Sequence, residues 1–211
     1  MAGVAALGMV TPAFPAGFHI REQGAKAMGM GNAFVAQADD ASALFYNPGG
    51  LAFQKGSQAS LGVTIIQVPE TVFEGKTWLG DKDNGGVEFS GKQSSRPDIF
   101  FPPNLYLTYA LDSAPVSFGV AMNSLYPLAK RWDATSPFRD DVKEVAIKPV
   151  NVNPTVAFRW KNLGLAFGVD YTYASLWLEN SPYTTIYDGA GNPVNLNLGD
   201  LEVEGMGDGW G

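Results

Sequence analysis

The chain has 211 residues, enough for one domain or part of one, and no cysteine, which excludes a disulfide framework and a thiolate metal site. With 14 Lys+Arg against 21 Asp+Glu the formal charge is −7, so the basic face that a nucleic-acid partner requires is lacking. Only 17% of residues are charged, while Gly (25), Phe (13) and Tyr (8) are abundant, a balance that suits a membrane barrel better than an ordinary soluble domain.

In chain order, residues 1–16 come first. The apolar run Val4 to Val10 and the stretch Thr11-Pro12-Ala13-Phe14-Pro15-Ala16 resemble the end of a secretory signal peptide with cleavage near Ala16. No Lys or Arg precedes Arg21, and Phe14 stands where a small residue is usual. Residues 17–56 are Ala- and Gly-rich and do not alternate. Asp39 or Asp40 is placed to cap a short helix through Ser42 to Tyr46, which Pro48 and Gly49-Gly50 would end. This segment is too small to fold alone. It is read as a plug inside a barrel or as a peripheral helical lead-in.

Alternation of period two begins at residue 57. Over 57–68, Ala59, Leu61, Val63 and Ile65 share one face and Gln58, Ser60, Gly62 and Thr64 the other. Over 104–111, Leu105, Leu107, Tyr109 and Leu111 face one way. A turn at 112–114 leads to Val116, Phe118, Val120 and Met122. Over 150–160, Val152, Val156, Phe158 and Trp160 oppose Asn151, Asn153, Thr155, Ala157 and Arg159. A tight Lys161-Asn162 turn returns the chain through Leu163, Leu165, Phe167, Val169, Tyr171 and Tyr173.

The face opposite the large apolar residues carries Gly, Ala, Ser, Thr and Asn rather than Lys and Glu. An enclosed lumen suits that face better than bulk water, so a membrane barrel is favoured over a β-sandwich. Aromatics cluster at strand ends, as in interfacial girdles. Tight connections (112–114, 161–162) alternate with long ones (roughly 69–102, 129–144 and from Glu179), which places the tight turns in the periplasm and the long loops outside. The expected class is therefore all-β, an antiparallel outer-membrane barrel with about five strands in this chain.

The ordered set Gly17-Phe18-His19-Ile20-Arg21-Glu22-Gln23, Gly29-Met30-Gly31-Asn32-Ala33, Ala38-Asp39-Asp40-Ala41-Ser42 and Tyr46-Asn47-Pro48-Gly49-Gly50-Leu51 resembles the N-terminal hatch of the FadL/TodX outer-membrane transporters. The resemblance continues through Pro103-Asn104-Leu105-Tyr106 and Asn151-Val152-Asn153-Pro154-Thr155-Val156-Ala157-Phe158-Arg159. It implies a barrel of about 14 strands with an N-terminal hatch, of which this chain holds the first part as an N-terminal fragment: hatch 17–56, then barrel strands and loops 57–211. It implies passive uptake of a long-chain fatty acid or aromatic hydrocarbon at the bacterial outer membrane. It also implies outer-membrane lipid and the barrel-assembly machinery as partners, a monomer when complete, and no cofactor or metal.

Residue by residue, Phe18 matches a phenylalanine that inserts into the ligand pocket; packing within the hatch is the other reading. Asn47, Pro48 and Gly49 match an Asn-Pro-Ala motif lining the inner binding region, with glycine replacing alanine; a helix-ending turn is the alternative. The stretch Asn123-Ser124-Leu125-Tyr126-Pro127-Leu128 matches a kink in the third strand that opens the wall sideways. Here Pro127 stands where glycine is more frequent, and proline breaks the ladder; a strand ending at its loop is the alternative. Arg159, on the inner face, is the candidate partner for a ligand carboxylate, or else a solvated residue at the periplasmic rim.

Catalysis finds little support. His19 is the single histidine, no nucleophile motif accompanies it, and no phosphate-cradling loop occurs. The adjacent pairs Asp39-Asp40 and Asp140-Asp141 point apart, the first explained by helix capping and the second by a solvated loop. A general porin or a structural or adhesin barrel are the remaining alternatives.

Overall fold

The computed structural model describes residues 19–211. The signal-like segment 1–16 and Phe18 lie outside the described residues. The first described elements are α1 (Ala25–Gly29), α2 (Ala43–Tyr46) and a 3-10 helix (Pro48–Phe53). Fourteen strands follow: β1 (Ser57–Val63), β2 (Ile66–Val68), β3 (Val72–Leu79), β4 (Val87–Ser94), β5 (Asp98–Phe100), β6 (Pro103–Ala110), β7 (Val116–Asn123), β8 (Leu128–Arg131), β9 (Glu144–Trp160), β10 (Leu163–Gly168), β11 (Tyr171–Asn180), β12 (Tyr183–Tyr187), β13 (Pro193–Asn197) and β14 (Leu201–Trp210).

The main sheet is an antiparallel meander in the order β1-β6-β7-β9-β11-β14, with β8 and β10 also paired to β9. It is open among the described residues: β1 and β14 are its two ends. The period-two pattern fixes the register, because a one-residue slip would turn every large apolar side chain inward. Leu61, Leu105, Met122, Val152, Tyr171 and Trp210 form one row across the outer face. Leu61, Phe167 and Trp210 are 79%, 71% and 73% exposed. In water such a surface would aggregate; against lipid it is the required contact. Trp160, Phe158 and Phe167 lie toward the tight-turn end of this band, and Tyr171, Tyr173 and Trp210 toward the long-loop end, as interfacial girdles do.

Three short ribbons, β2–β5, β3–β4 and β12–β13, rise from the long-loop end. Apart from β2, which is the end of the expected first strand 57–68, they lie in segments expected as loops: their polar, Gly-rich turns hid the pairing. The five expected strands all occur, with three changes. The first breaks after Val63, so Thr64 and Ile65 belong to no strand. The fourth begins at Glu144 rather than at 150 and runs 17 residues, because Lys148 and Pro149 interrupt the alternation without ending the strand. The fifth is interrupted at Val169-Asp170. A further strand, β14, lies beyond them.

The N-terminal segment packs on the inner face of this sheet. Ala38, Ala41, Ala43, Leu44, Leu51 and Ala52 form one buried cluster with Tyr106, Ala121 and Ala157 from β6, β7 and β9. Small wall residues make that approach possible. A Cβ on Gly119 would stand 2.5 Å from Leu44 Cδ2 and 2.9 Å from Leu51 Cδ2. Residues 38–52 are thus seated directly on the small-residue face of β6, β7 and β9.

Candidate functional site

The expected helix through Ser42 to Tyr46 is present as the short α2. Its entry is organised by Asp40, whose Oδ1 accepts from the Ser42 backbone N–H (2.8 Å) and from Ser42 Oγ (2.6 Å). Asp39 instead pairs with Lys26 at 2.6 Å.

Asn47 ends α2, and Pro48 starts the 3-10 helix. Asn47 Nδ2 donates to the Val35 carbonyl (2.9 Å), tying the motif to the preceding loop. Gly49 sits against β10: a Cβ there would be 2.9 Å from the Gly164 carbonyl, and a Cβ on Gly164 would run into the Gly49 carbonyl. Glycine in the third motif position therefore serves a close backbone approach, whatever freedom it also confers. Asn47, Gly49 and Gly164 line a cleft of about 590 Å³ between the segment and the wall, with Phe53, Gln54 and Gln58.

A second locus lies where β7 gives way to β8. Asn123 pairs with Asn151 and Leu128 with Ile147, so the four residues 124–127 face only three, 148–150. One extra residue is inserted and the ladder lapses. Two prolines enforce this: Pro127 on the broken strand and the fully buried Pro149 on β9 both lack an N–H to donate. Pro149 did not stand out in the sequence, because it falls between the expected loop 129–144 and the expected strand 150–160. The lapse is at the level of Val150 and Tyr173, near the long-loop end of the apolar band. Tyr126 faces an inner groove of about 520 Å³ with Ile147, Ala174, Leu176 and the β14 glycines Gly205 and Gly207.

The two loci are joined by the chain at residues 20–23. The Ile20 N–H donates to the Leu125 carbonyl (2.7 Å), and Gln23 Nε2 donates to the Ser124 carbonyl (3.0 Å). Gln23 is 1% exposed. Its backbone N–H donates to Tyr46 Oη (3.1 Å), and its carbonyl accepts from Tyr106 Oη (2.8 Å). Tyr46, adjacent to Asn47, also donates to the Arg21 carbonyl (2.8 Å). A continuous set of hydrogen bonds thus runs from Tyr46, the residue before the Asn47-Pro48-Gly49 turn, to the strand lapse. Gln23 and Tyr106 were not singled out in the sequence; nothing in a lone Gln or Tyr marks a partner about a hundred residues away.

Next to the lapse, the inner face carries a row of carboxamides in register: Asn104, Asn123 and Asn151, continued by Thr172. Arg159 is remote from this row. It lies beside the tight turn, with Lys55 and Asp112 in a recess of about 180 Å³. His19 stacks on Phe45 (ring centroids 5.9 Å apart); burial, and then Arg21, hold its pKa below the ordinary value. Asp140 is not a freely solvated loop residue: it accepts from the backbone N–H groups of Gly80 (3.3 Å) and Tyr183 (2.8 Å), tying three of the long loops together. Among the described residues no group of three His, Cys, Asp or Glu could hold a metal ion.

An antiparallel wall with an apolar outer band, and an N-terminal plug seated on its small-residue inner face, define an outer-membrane β-barrel protein with a hatch. A family model described as outer membrane protein transport protein (OMPP1/FadL/TodX) matches residues 6–211, and the chain belongs to that family. Its place is the bacterial outer membrane. The fold is similar to the crystal structure of a Pseudomonas aeruginosa FadL homologue, with TM-score 0.58 and 17% identity over 82% of this chain and 43% of that one. An outer membrane protein of Neisseria meningitidis serogroup B is 32% identical over 106 residues, which is 49% of this chain and 22% of the other. The chain thus spans under half the length of these two relatives.

Proposed function

We propose that the complete protein takes up hydrophobic compounds, long-chain fatty acids foremost, by passive movement past the hatch and out sideways through the lapse between β7 and β8. The observation that carries this reading is the lapse itself. It lies within the lipid-facing wall, bordered by Pro127 and Pro149, with an apolar groove behind it at Tyr126, Ile147 and Leu176. Unpaired backbone is tolerated at membrane depth only where protein or a cavity covers it.

In this reading the long loops face outward and receive the ligand. Further strands join β1 to β14 and close the ring, as a membrane barrel requires. The apolar ligand partitions from the loops into the groove and then into lipid, down its own solubility gradient, without an energy source. Asn47, Pro48 and Gly49 hold the hatch against the wall, and Tyr126 lines the exit. A ligand carboxylate meets the carboxamides Asn123 and Asn151 beside the exit; Arg159 would meet it only at the tight-turn rim.

The test is uptake of labelled oleate and toluene by cells that depend on the complete protein, comparing wild type with Asn47→Ala and Pro127→Gly. Asn47→Ala frees the Val35 carbonyl and alters the uptake rate. Pro127→Gly restores a donor at the lapse and lowers it. Unchanged uptake of both tracers, with both variants inserted normally, would remove the hatch motif and the lapse from the mechanism. Faster toluene than oleate uptake would assign the pathway to aromatic hydrocarbons.

A further inference from the structure

We infer that Gln23 is a positioning residue that holds the wall lapse in its open-paired form by standing in for the missing strand partner. The inference rests on the transport reading only for its physiological meaning; its structural content is independent of it. Where 124–127 leave the ladder, Ser124 and Leu125 have no β9 partner in register, and Pro149 opposite them has no N–H to offer. An uncompensated carbonyl at membrane depth has no water to pair with and is strongly disfavoured. Both are nevertheless paired, and both donors come from the hatch: Gln23 Nε2 to Ser124 O and the Ile20 N–H to Leu125 O.

The Ser124 hydroxyl turns away, donating to the Pro149 carbonyl at 2.7 Å, which leaves the Ser124 carbonyl to Gln23. Gln23 in turn is fixed on both sides of its backbone, by Tyr46 of the hatch and Tyr106 of the wall. Thr64, at the break after β1, adds a bond from its hydroxyl to the Glu22 carbonyl (2.6 Å). Residues 20–23 are therefore built into the wall on both flanks. The lapse and the hatch segment satisfy each other, and displacement of one exposes unpaired backbone in the other. The amide of Gln23 suits this role because it donates to a carbonyl without placing a charge in the wall.

Residues 1–211 contain no cysteine, so two cysteines introduced there are the sole thiols of this part of the protein. Nitroxide labels at Ile20→Cys and Leu125→Cys, in the complete protein reconstituted in lipid, report the docked segment as a short-distance population. Gln23→Leu keeps the side-chain bulk and removes the donor. It lowers the ratio of docked to undocked segment about five-fold or more. Gln23→Glu does the same at neutral pH and recovers docking at about pH 4 and below, where a neutral carboxyl donates again; a merely space-filling role would give no such recovery. Should Gln23→Leu fail to insert, Tyr106→Phe, which removes the clamp on the Gln23 carbonyl, shifts the same ratio in the same direction. An unchanged distance distribution in Gln23→Leu or Tyr106→Phe, or a Gln23→Glu response without pH dependence, overturns the inference. Loss of docking without any effect on oleate or toluene uptake would leave the inference standing and count against the transport reading instead.

Discussion

Gly164 and Gly49 meet backbone to backbone, and that contact sets how closely the hatch can sit on β10. A methyl group on Gly164 cannot be absorbed by rotating a side chain, because what it strikes is the Gly49 carbonyl. Gly164→Ala is expected to destabilise the docked hatch by about 1–3 kcal/mol, in the range of overpacked interiors. Hydrogen exchange of residues 43–53 should speed accordingly while the strand amides of β6, β7 and β9 stay protected. Protection unchanged in the hatch would show that the approach is not tight. His19 makes a pH prediction. Its folded-state pKa lies below 6.5, so the neutral ring packed on Phe45 is fully favoured above that value. Stability is lost as the pH falls through the folded value and a second charge appears beside Arg21. A titration followed by NMR should give a pKa under 6.5, and the N-terminal part of the hatch should exchange faster at acid pH after correction for intrinsic rates.

At the scale of elements, the extra residue between β7 and β8 is the feature with the largest consequence. Deleting Tyr126 leaves three residues facing 148–150 and removes the bulge. The ladder should then run from β7 into β8 with fewer solvent-accessible amides at 124–128, and uptake should fall while the protein still inserts and resists detergent unfolding. Unaltered uptake in that variant would separate the bulge from transport. The sequence showed part of this. The alternation from 104 to 123 and from 150 to 173 was legible because one face must meet lipid and the other a plug, and a period of two records that demand. Pro127 was legible as a break because proline has no N–H. Pro149 was not, since charged Lys148 beside it disguised the start of β9, and only the register shows that the two prolines face the same lapse. The pairing of residues 20–23 with 124–125 was likewise hidden, because backbone donors and a single amide leave no periodic trace.

At the scale of the molecule, the long-loop end is more ordered than its composition implies. Lys143 bridges Glu179 (2.5 Å) and Asp200 (2.9 Å), and Arg139 donates to Tyr183 Oη (2.7 Å) while Phe138 packs edge-on against Phe73 (5.0 Å between centroids). Exposed ion pairs contribute little singly, but these link segments distant in sequence above one end of the barrel. They hold the aromatic residues that an apolar ligand would meet first. The neutral inner face below, with Asn104, Asn123 and Asn151 across adjacent strands, differs from the charged lumen of a general porin.

That contrast yields the decisive measurement: the complete protein in lipid vesicles, with transfer of labelled oleate and permeation of a small neutral sugar recorded side by side. The account predicts faster oleate transfer than in protein-free vesicles, with the sugar retained. Rapid sugar permeation with no gain in oleate transfer would contradict it and identify an ordinary aqueous pore.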